Sequence, residues 1–307
     1  LNRLLVFFVH FVVFSQELKQ LRDDDIVADI YNLNPDVVGF SCYIWNIHII
    51  KELLWDLHKL LPATHFYLGG PEAGYNAAAL LEEFPFIKGV FAGEGERSFK
   101  ELVRFYVSEQ TTDIPTIPGL ILQRDLPSLQ GPVLAVPMDL AEIPFWYRDS
   151  QGNMVEGFEN RIIYYESSRG CPFGCSYCLS SIDKTVRFRP MDMVKEELAF
   201  FLDKKVKQVK FIDRTFNCNR ARALEIWNFL REKDNGITNF HFEIAADLLG
   251  EEEIACLKSM RPGQVQLEIG VQTTNPETLR EIHRTTDMEK LRRNVTLLRE
   301  ANNIHLH

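Results

Sequence analysis

The stretch GCPFGCSYC, residues 170–178, holds Cys171, Cys175 and Cys178, half of the six cysteines in a chain of 307 residues. Gly170, Pro172 and Gly174 are residue types that let a short loop curl, so the three thiols can converge on one centre. The remaining Cys42, Cys218 and Cys256 are scattered singly. In a chain this long, that usage reads as a metal site in a reducing compartment rather than a disulfide framework, and it places the protein in the cytoplasm. Three readings of the loop stand side by side. Structural zinc takes four protein ligands, commonly as two CxxC pairs, and would need Cys218 or a histidine here. An iron–sulfur cubane on three cysteines leaves one iron open to a small molecule. Chance clustering of structural cysteines is the third, and it runs against the habit of free cysteines to sit singly in cores.

Working outward, the loop follows the first of a series of apolar runs of strand length. These are residues 162–166 (IIYYE), 208–212 (QVKFI), 240–245 (FHFEIA), 265–270 (VQLEIG) and 303–307 (NIHLH). Between them lie helix-like stretches at 191–203, 220–233, 251–260 and 275–301, the last broken near Thr285 and Thr286. A βα repeat of this kind predicts a parallel barrel, or part of one, with its chemistry at the carboxyl ends of the strands. At about 30 residues per unit there is room for four units and the start of a fifth. No helix follows 303–307, so the expectation is of a barrel cut off at its carboxyl end, and the opening at Leu1 without a methionine is read as that of a fragment.

A second alternating series precedes it. Strand-like runs at 36–40, 65–68 and 88–92 are each followed by a helix-like stretch, at 47–60, 76–83 and 97–107. Continuous apolar strands separated by helices imply a doubly wound, Rossmann-like parallel sheet covered on both faces. Ligands of such sheets bind where the strands end. Here those ends carry Ser41, Cys42 and Tyr43, then Gly69, Gly70 and Pro71, then Gly93, Glu94 and Gly95. The opening apolar run LLVFFVHFVVF, residues 4–14, is too short to span a bilayer and is interrupted by His10; it reads as a buried strand. Six prolines between 115 and 144 mark a connecting segment with a small hairpin, ordered by Phe145, Trp146 and Tyr147. The expected organisation is therefore an α/β domain at 1–110, a connector at 111–157 and a partial barrel at 158–307.

Composition limits the partners. Hydrophobic residues at 46% and charged residues at 25% are those of an ordinary globular protein. A net charge of -9 argues against general attraction to nucleic acid, and no segment suits a membrane span.

The CxxxCxxC loop after the first barrel strand, with aromatic Tyr177 before the third cysteine, resembles the signature of the radical S-adenosylmethionine (SAM) enzymes. The resemblance implies a 4Fe-4S cluster on Cys171, Cys175 and Cys178 whose open iron binds the amino and carboxylate groups of SAM. Reductive cleavage of SAM would yield a 5′-deoxyadenosyl radical that abstracts hydrogen from substrate. By the same resemblance Tyr177 packs against adenine. Asp213, Arg214 and Thr215 stand where the family has a glycine-rich turn contacting the SAM amino group, although the glycines are absent. Glu243, Glu268 and Gln272 are placed to meet the ribose or the methionyl end. The phrases NPDVVGFSCYIWN, YLGGPEAGY and GVFAGEGERSFKEL between residues 34 and 102 resemble the amino-terminal domain of the cobalamin-binding class. Ser41, Cys42, Tyr43, Gly69, Gly70, Pro71, Gly93, Glu94 and Gly95 would then line cobalamin. The Asp-x-His-x-x-Gly motif that supplies an axial histidine in many cobalamin proteins is absent; His10 has no matching Asp and Gly. The expected activity is radical methyl transfer or another radical reaction on an unidentified small molecule or peptide, with a flavodoxin or ferredoxin as electron donor. Methylthio transfer is the alternative within the family, and a zinc-stabilised, non-catalytic α/β protein the alternative outside it.

Overall fold

The computed structural model describes residues 6–7, 23–108, 113–129, 137–158, 160–182 and 184–307. The opening apolar run lies outside these residues except for Val6–Phe7, and so does His10. The chain divides into two compact units at Met138 and Asp139, within the proline-rich stretch.

In the first unit, β1 (Val6–Phe7), β2 (Val37–Ser41), β3 (His65–Gly69), β4 (Gly89–Phe91) and β5 (Leu120–Leu122) form one sheet in that order. The first four strands are parallel, and β5 pairs antiparallel with β4, Val90 opposite Ile121. Residue parity explains the layering, because successive side chains in a strand point to opposite faces. Val38, Phe40, Phe66, Leu68 and Val90 share a core with the helices Asp23–Leu33, Ile47–Leu60 and Ala77–Glu83. Val37, Tyr67 and Phe91 turn the other way, against Leu102 and the partly buried Phe99 and Tyr106 of the helix Gly95–Ser108. The sheet is thus covered on both faces, as the continuous apolar strands demand. The run 120–122 is an edge strand of this sheet. The small hairpin of the proline-rich stretch lies further on, where Arg148 bridges Met154.

A polar thread runs through the second of these layers. His65 Nδ1 lies 2.6 Å from Tyr106 Oη, which lies 2.7 Å from Tyr67 Oη. Burial, with Lys88 adding to it, lowers the pKa of His65, against a smaller opposing pull from Asp36. The folded ring therefore binds its proton less readily than the unfolded one. Its contribution to stability is present above the ordinary histidine pKa of about 6.5 and is lost as pH falls from there toward the folded-state value. In urea unfolding, stability is expected to fall below that pH by more in the wild type than in H65Q. Identical pH profiles for the two would refute this.

In the second unit, β6 (Ile163–Tyr165), β9 (Gln208–Phe211), β10 (Asn239–Ile244), β11 (Val265–Ile269) and β12 (His305–Leu306) lie side by side in chain order, all parallel. Neighbours in sequence are neighbours in space, which is the connectivity of a barrel wall. Between β6 and β9, β7 (Ser168–Arg169) and β8 (Arg187–Phe188) form a separate antiparallel pair. Ile163, Tyr165, Val209, Phe211, Phe240, Phe242, Val265 and Leu267 share a core with Leu198 and Phe201 of the helix Met191–Asp203 and Trp227 of Arg220–Glu232. Phe145 and Tyr147 pack on Phe201 of this unit. The expected helix at 275–301 is two helices, Pro276–Glu281 and Met288–Ala301, separated near the anticipated break.

Candidate functional site

The cysteine loop is an excursion between β7 and β8, which pair Ser168 with Phe188 and Arg169 with Arg187 at its base. Gly170 makes the exit. Its φ is +102°, and a Cβ there would stand 2.2 Å from the Thr185 carbonyl oxygen. Both the left-handed backbone and the close approach exclude a side chain. G170A is expected to lose about 1–3 kcal/mol of stability and to retain less iron after reconstitution. A melting curve and an iron assay check this, and iron retention equal to wild type would refute it.

A buried carboxylate anchors the same base from below. Asp213, 1% exposed at the end of β9, accepts from Ser167 N at 2.8 Å, Ser167 Oγ at 2.6 Å and Ser168 Oγ at 2.7 Å. Burial raises its pKa, and these donors pull it back. Its oxygens are thus taken up in fixing the turn that leads into the loop. Arg222 adds a bond to the Arg189 carbonyl at 2.8 Å. Next along the chain, Arg214 is exposed and Thr215 buried, and Thr215 Oγ1 lies 3.7 Å from Cys171 Sγ.

Within the loop Cys175 is buried, and Cys171 and Cys178 are half-buried. Cys178 N donates to the Cys175 carbonyl at 3.1 Å, and Ser176 N to Ile282 O at 3.0 Å. The Arg284 guanidinium lies against this segment, with Nη1 3.8 Å from Cys175 Sγ and 3.3 Å from Tyr177 Oη. Its Nε is buried without a protein partner. Among the described residues no three His, Cys, Asp or Glu side chains are grouped as a metal site, so the fold brings the thiols onto one loop but not to one point. Three thiols and an orphaned cationic donor, with no carboxylate among them, are a donor set suited to an iron–sulfur cluster.

The sheet face opposite the helices is polar. Register sets Tyr164, Lys210, His241, Gln266 and His305 in one row across all five strands. Glu243 and Glu268 pair one step further toward the carboxyl ends. Lys210 Nζ lies 3.0 Å from Glu268 Oε2 and 3.7 Å from Glu243 Oε1, and His241 Nε2 lies 3.2 Å from Glu268. The Lys210 hydrogen bond lowers the Glu268 pKa, whereas burial, with Glu268 adding to it, raises that of Glu243. The two carboxylates chosen from sequence thus share one lysine and have pKa values pushed in opposite directions. Gln272, at φ +65°, is exposed past the end of β11.

In the first unit the ends of β2 and β3 are tied together. Cys42 N donates to Gly69 O at 2.7 Å, and Glu72 N to Cys42 O at 3.2 Å. Gly70, at φ +89°, brings its backbone so close that a Cβ would stand 2.6 Å from the Cys42 carbonyl. Pro71 opens the short helix Pro71–Tyr75, while Gly93 and Gly95 flank Glu94, whose Oε2 accepts from Met138 N at 3.0 Å. Cys42 turns its side chain into the core, where burial pushes the thiol up to about 12, so what it offers this edge is backbone. Sequence reasoning passed over Ile44 and Trp45, 80% and 58% exposed, with the Trp45 ring stacked on Tyr43 at 4.6 Å. The signal was there: a strand that has ended yet continues apolar. Arg284 carried no such signal, since 109 residues separate it from Cys175.

A family model for the radical SAM superfamily matches residues 165–306, and one for the B12 binding domain matches residues 9–103. An uncharacterized methyltransferase of Pyrococcus horikoshii is 26% identical over 271 residues, 85% of this chain and 57% of that protein. The cobalamin-dependent radical SAM methyltransferase TokK of Streptomyces tokunonensis is 27% identical over 207 residues, 65% of this chain and 30% of that protein. Among solved structures, the radical SAM methyltransferase TsrM of Kitasatospora setae with cobalamin and a [4Fe-4S] cluster bound aligns over 94% of this chain and 59% of its own, with a TM-score of 0.66 at 18% identity. The chain spans from 30% to 57% of the length of the two curated relatives. No helix among the described residues is long and apolar enough to cross a membrane.

Proposed function

Since the chain belongs to the radical SAM superfamily, in the class that carries a B12-binding domain, we propose that it serves a cobalamin-dependent radical reaction, methyl transfer foremost, on a small-molecule or peptide substrate. The observation that carries this reading is the cysteine loop, with three thiols and an unpartnered cationic donor on a base fixed by β7, β8 and Asp213. Cys171, Cys175 and Cys178 would hold a 4Fe-4S cluster. That cluster supplies a low-potential electron for cleaving SAM, and cobalamin supplies a carrier for a methyl group.

The chain's own residues hold, orient and exclude water. Tyr177, at the loop, and the segment of Asp213, Arg214 and Thr215 are assigned to the SAM side, with Asp213 acting through the turn it fixes. Glu243, Glu268 and Gln272 are assigned to the ribose and methionyl end. The Lys210 hydrogen bond lowers the pKa of Glu268, while burial and the neighbouring Glu268 raise that of Glu243, so the two carboxylates differ in how readily they take up a proton. At the edge of the first unit, Ser41, Cys42, Tyr43, Gly69, Gly70, Pro71, Gly93, Glu94 and Gly95 are assigned to cobalamin. Glycine there permits close backbone approach. The organisation into residues 1–110, 111–157 and 158–307 belongs to the same reading. So do a cytoplasmic setting, which keeps the thiols reduced, and a one-electron donor of the flavodoxin or ferredoxin kind.

Anaerobic reconstitution of the chain, followed by iron and sulfide analysis, tests the core of this. Iron and sulfide near four per chain, with 5′-deoxyadenosine or methylated product formed from SAM under a strong reductant, are expected. Zinc bound without iron or sulfide overturns the reading. Titration with hydroxocobalamin, followed by its visible spectrum, tests the first unit separately.

A further inference from the structure

Arg284 is held against the cysteine loop by a turn far along the chain. After the helix Pro276–Glu281, His283 adopts φ +52°, and this turn brings the chain back across the cysteine loop. Ile282 O accepts from Ser176 N at 3.0 Å, so the two segments are joined through their backbones. Arg284 Nη2 is anchored on the Gly270 carbonyl just past β11. That leaves Nη1 at 3.8 Å from the sulfur of Cys175, the buried member of the three, and at 3.3 Å from Tyr177 Oη. Nε, buried beside them, has no partner in the protein. A guanidinium is charged at any working pH, and its planar fork offers several donors in fixed directions.

We propose that Arg284 is a positioning residue that donates to the Cys175 thiolate and sets the reduction potential of a cluster held by the loop. The inference rests on the three-cysteine reading above. One-electron reduction adds one negative charge to the cluster, the electron coming from the donor protein. A fixed cation against one of its sulfurs stabilises the reduced form more than the oxidised one, and does so strongly where water is excluded. Hydrogen bonds to sulfur and local charge are the levers by which proteins move such potentials. Removing the guanidinium therefore makes the cluster harder to reduce.

The test uses the full chain, reconstituted anaerobically, with R284Q, R284M and R284K beside it. Iron and sulfide are counted first, then SAM-free cluster is titrated against potential with its EPR signal as readout, and SAM affinity is measured separately. We expect Gln and Met to shift the midpoint negative by ~59 mV, equivalent to a tenfold fall in the reduced-to-oxidised ratio at a fixed reductant potential. Lys is expected to restore most of that shift, with SAM affinity close to wild type throughout. An unmoved midpoint overturns the proposal. So does an effect confined to SAM affinity, which would assign Arg284 to the SAM carboxylate. If Gln and Met lose the cluster while Lys keeps it, a cation at Cys175 is upheld; if all three lose it, the role is structural and the proposal falls. Absence of iron and sulfide from the wild type sinks the cluster reading itself.

Discussion

C175S is expected to fold like the wild type and to hold almost no cluster, with SAM cleavage falling well beyond the roughly 10–100-fold cost of removing an outer partner of a metal ligand. The side chain is 6% exposed, and a hydroxyl fits its space. The backbone bonds that shape the loop, Cys178 N to Cys175 O and Ser176 N to Ile282 O, do not involve the sulfur. What changes is the donor: serine replaces a soft thiolate with a hard and poorly ionised hydroxyl, which iron in a sulfide cluster binds weakly. Iron and sulfide per chain, and 5′-deoxyadenosine under reductant, are the measurements. Wild-type iron content in C175S would remove Cys175 from the ligand set and leave the loop to the zinc or structural readings.

The second large effect lies in the core of the second unit. Arg189 and Glu197, each 5% exposed at the side chain, form a buried pair in which Arg189 Nε reaches the two Glu197 oxygens at 3.1 Å and 2.9 Å and Nη2 also donates. Nη1 bonds the Leu140 carbonyl, and Tyr165 Oη donates to Glu197 Oε2 at 2.6 Å. One arginine thereby joins the residue after β8, the helix Met191–Asp203 and the start of this unit. R189M leaves Glu197 as an unpaired buried carboxylate and is expected to destabilise the protein by about 3–5 kcal/mol. Against a typical total of about 5–15 kcal/mol, that is a large share of what holds a domain folded. The double variant R189M/E197L removes both charges and should recover much of the loss. Urea midpoints decide the matter, and a single variant within about 1 kcal/mol of wild type would contradict the assignment.

How far these features were readable from sequence follows from the range over which each is determined. The strands at 65–69 and 265–269 and the helices at 47–60 and 191–203 were legible because apolar periodicity is a local property. The cysteine loop was legible because its three thiols and its glycines lie within nine consecutive residues. The pair β7 and β8 was not, since two residues per strand are too few to show a pattern and its partners are joined across the loop. Nor could sequence show that the Asp213 carboxylate is taken up by Ser167 and Ser168, 46 and 45 residues away. Lys210 was invisible as the partner shared by Glu243 and Glu268, because that pairing depends on strand register.

The union of Asp213 with Ser167 and Ser168 bears on the order in which the protein matures. A carboxylate sealed from water is costly to leave without its donors, so the exit of β6 and the end of β9 are held firmly to one another. The ends of the cysteine loop are thereby fixed by protein contacts that need no iron or sulfide. On the three-cysteine reading, only the short arc through Cys171, Cys175 and Cys178 would be left to draw in, and the conformational entropy lost on loading a cluster would be confined to a few residues.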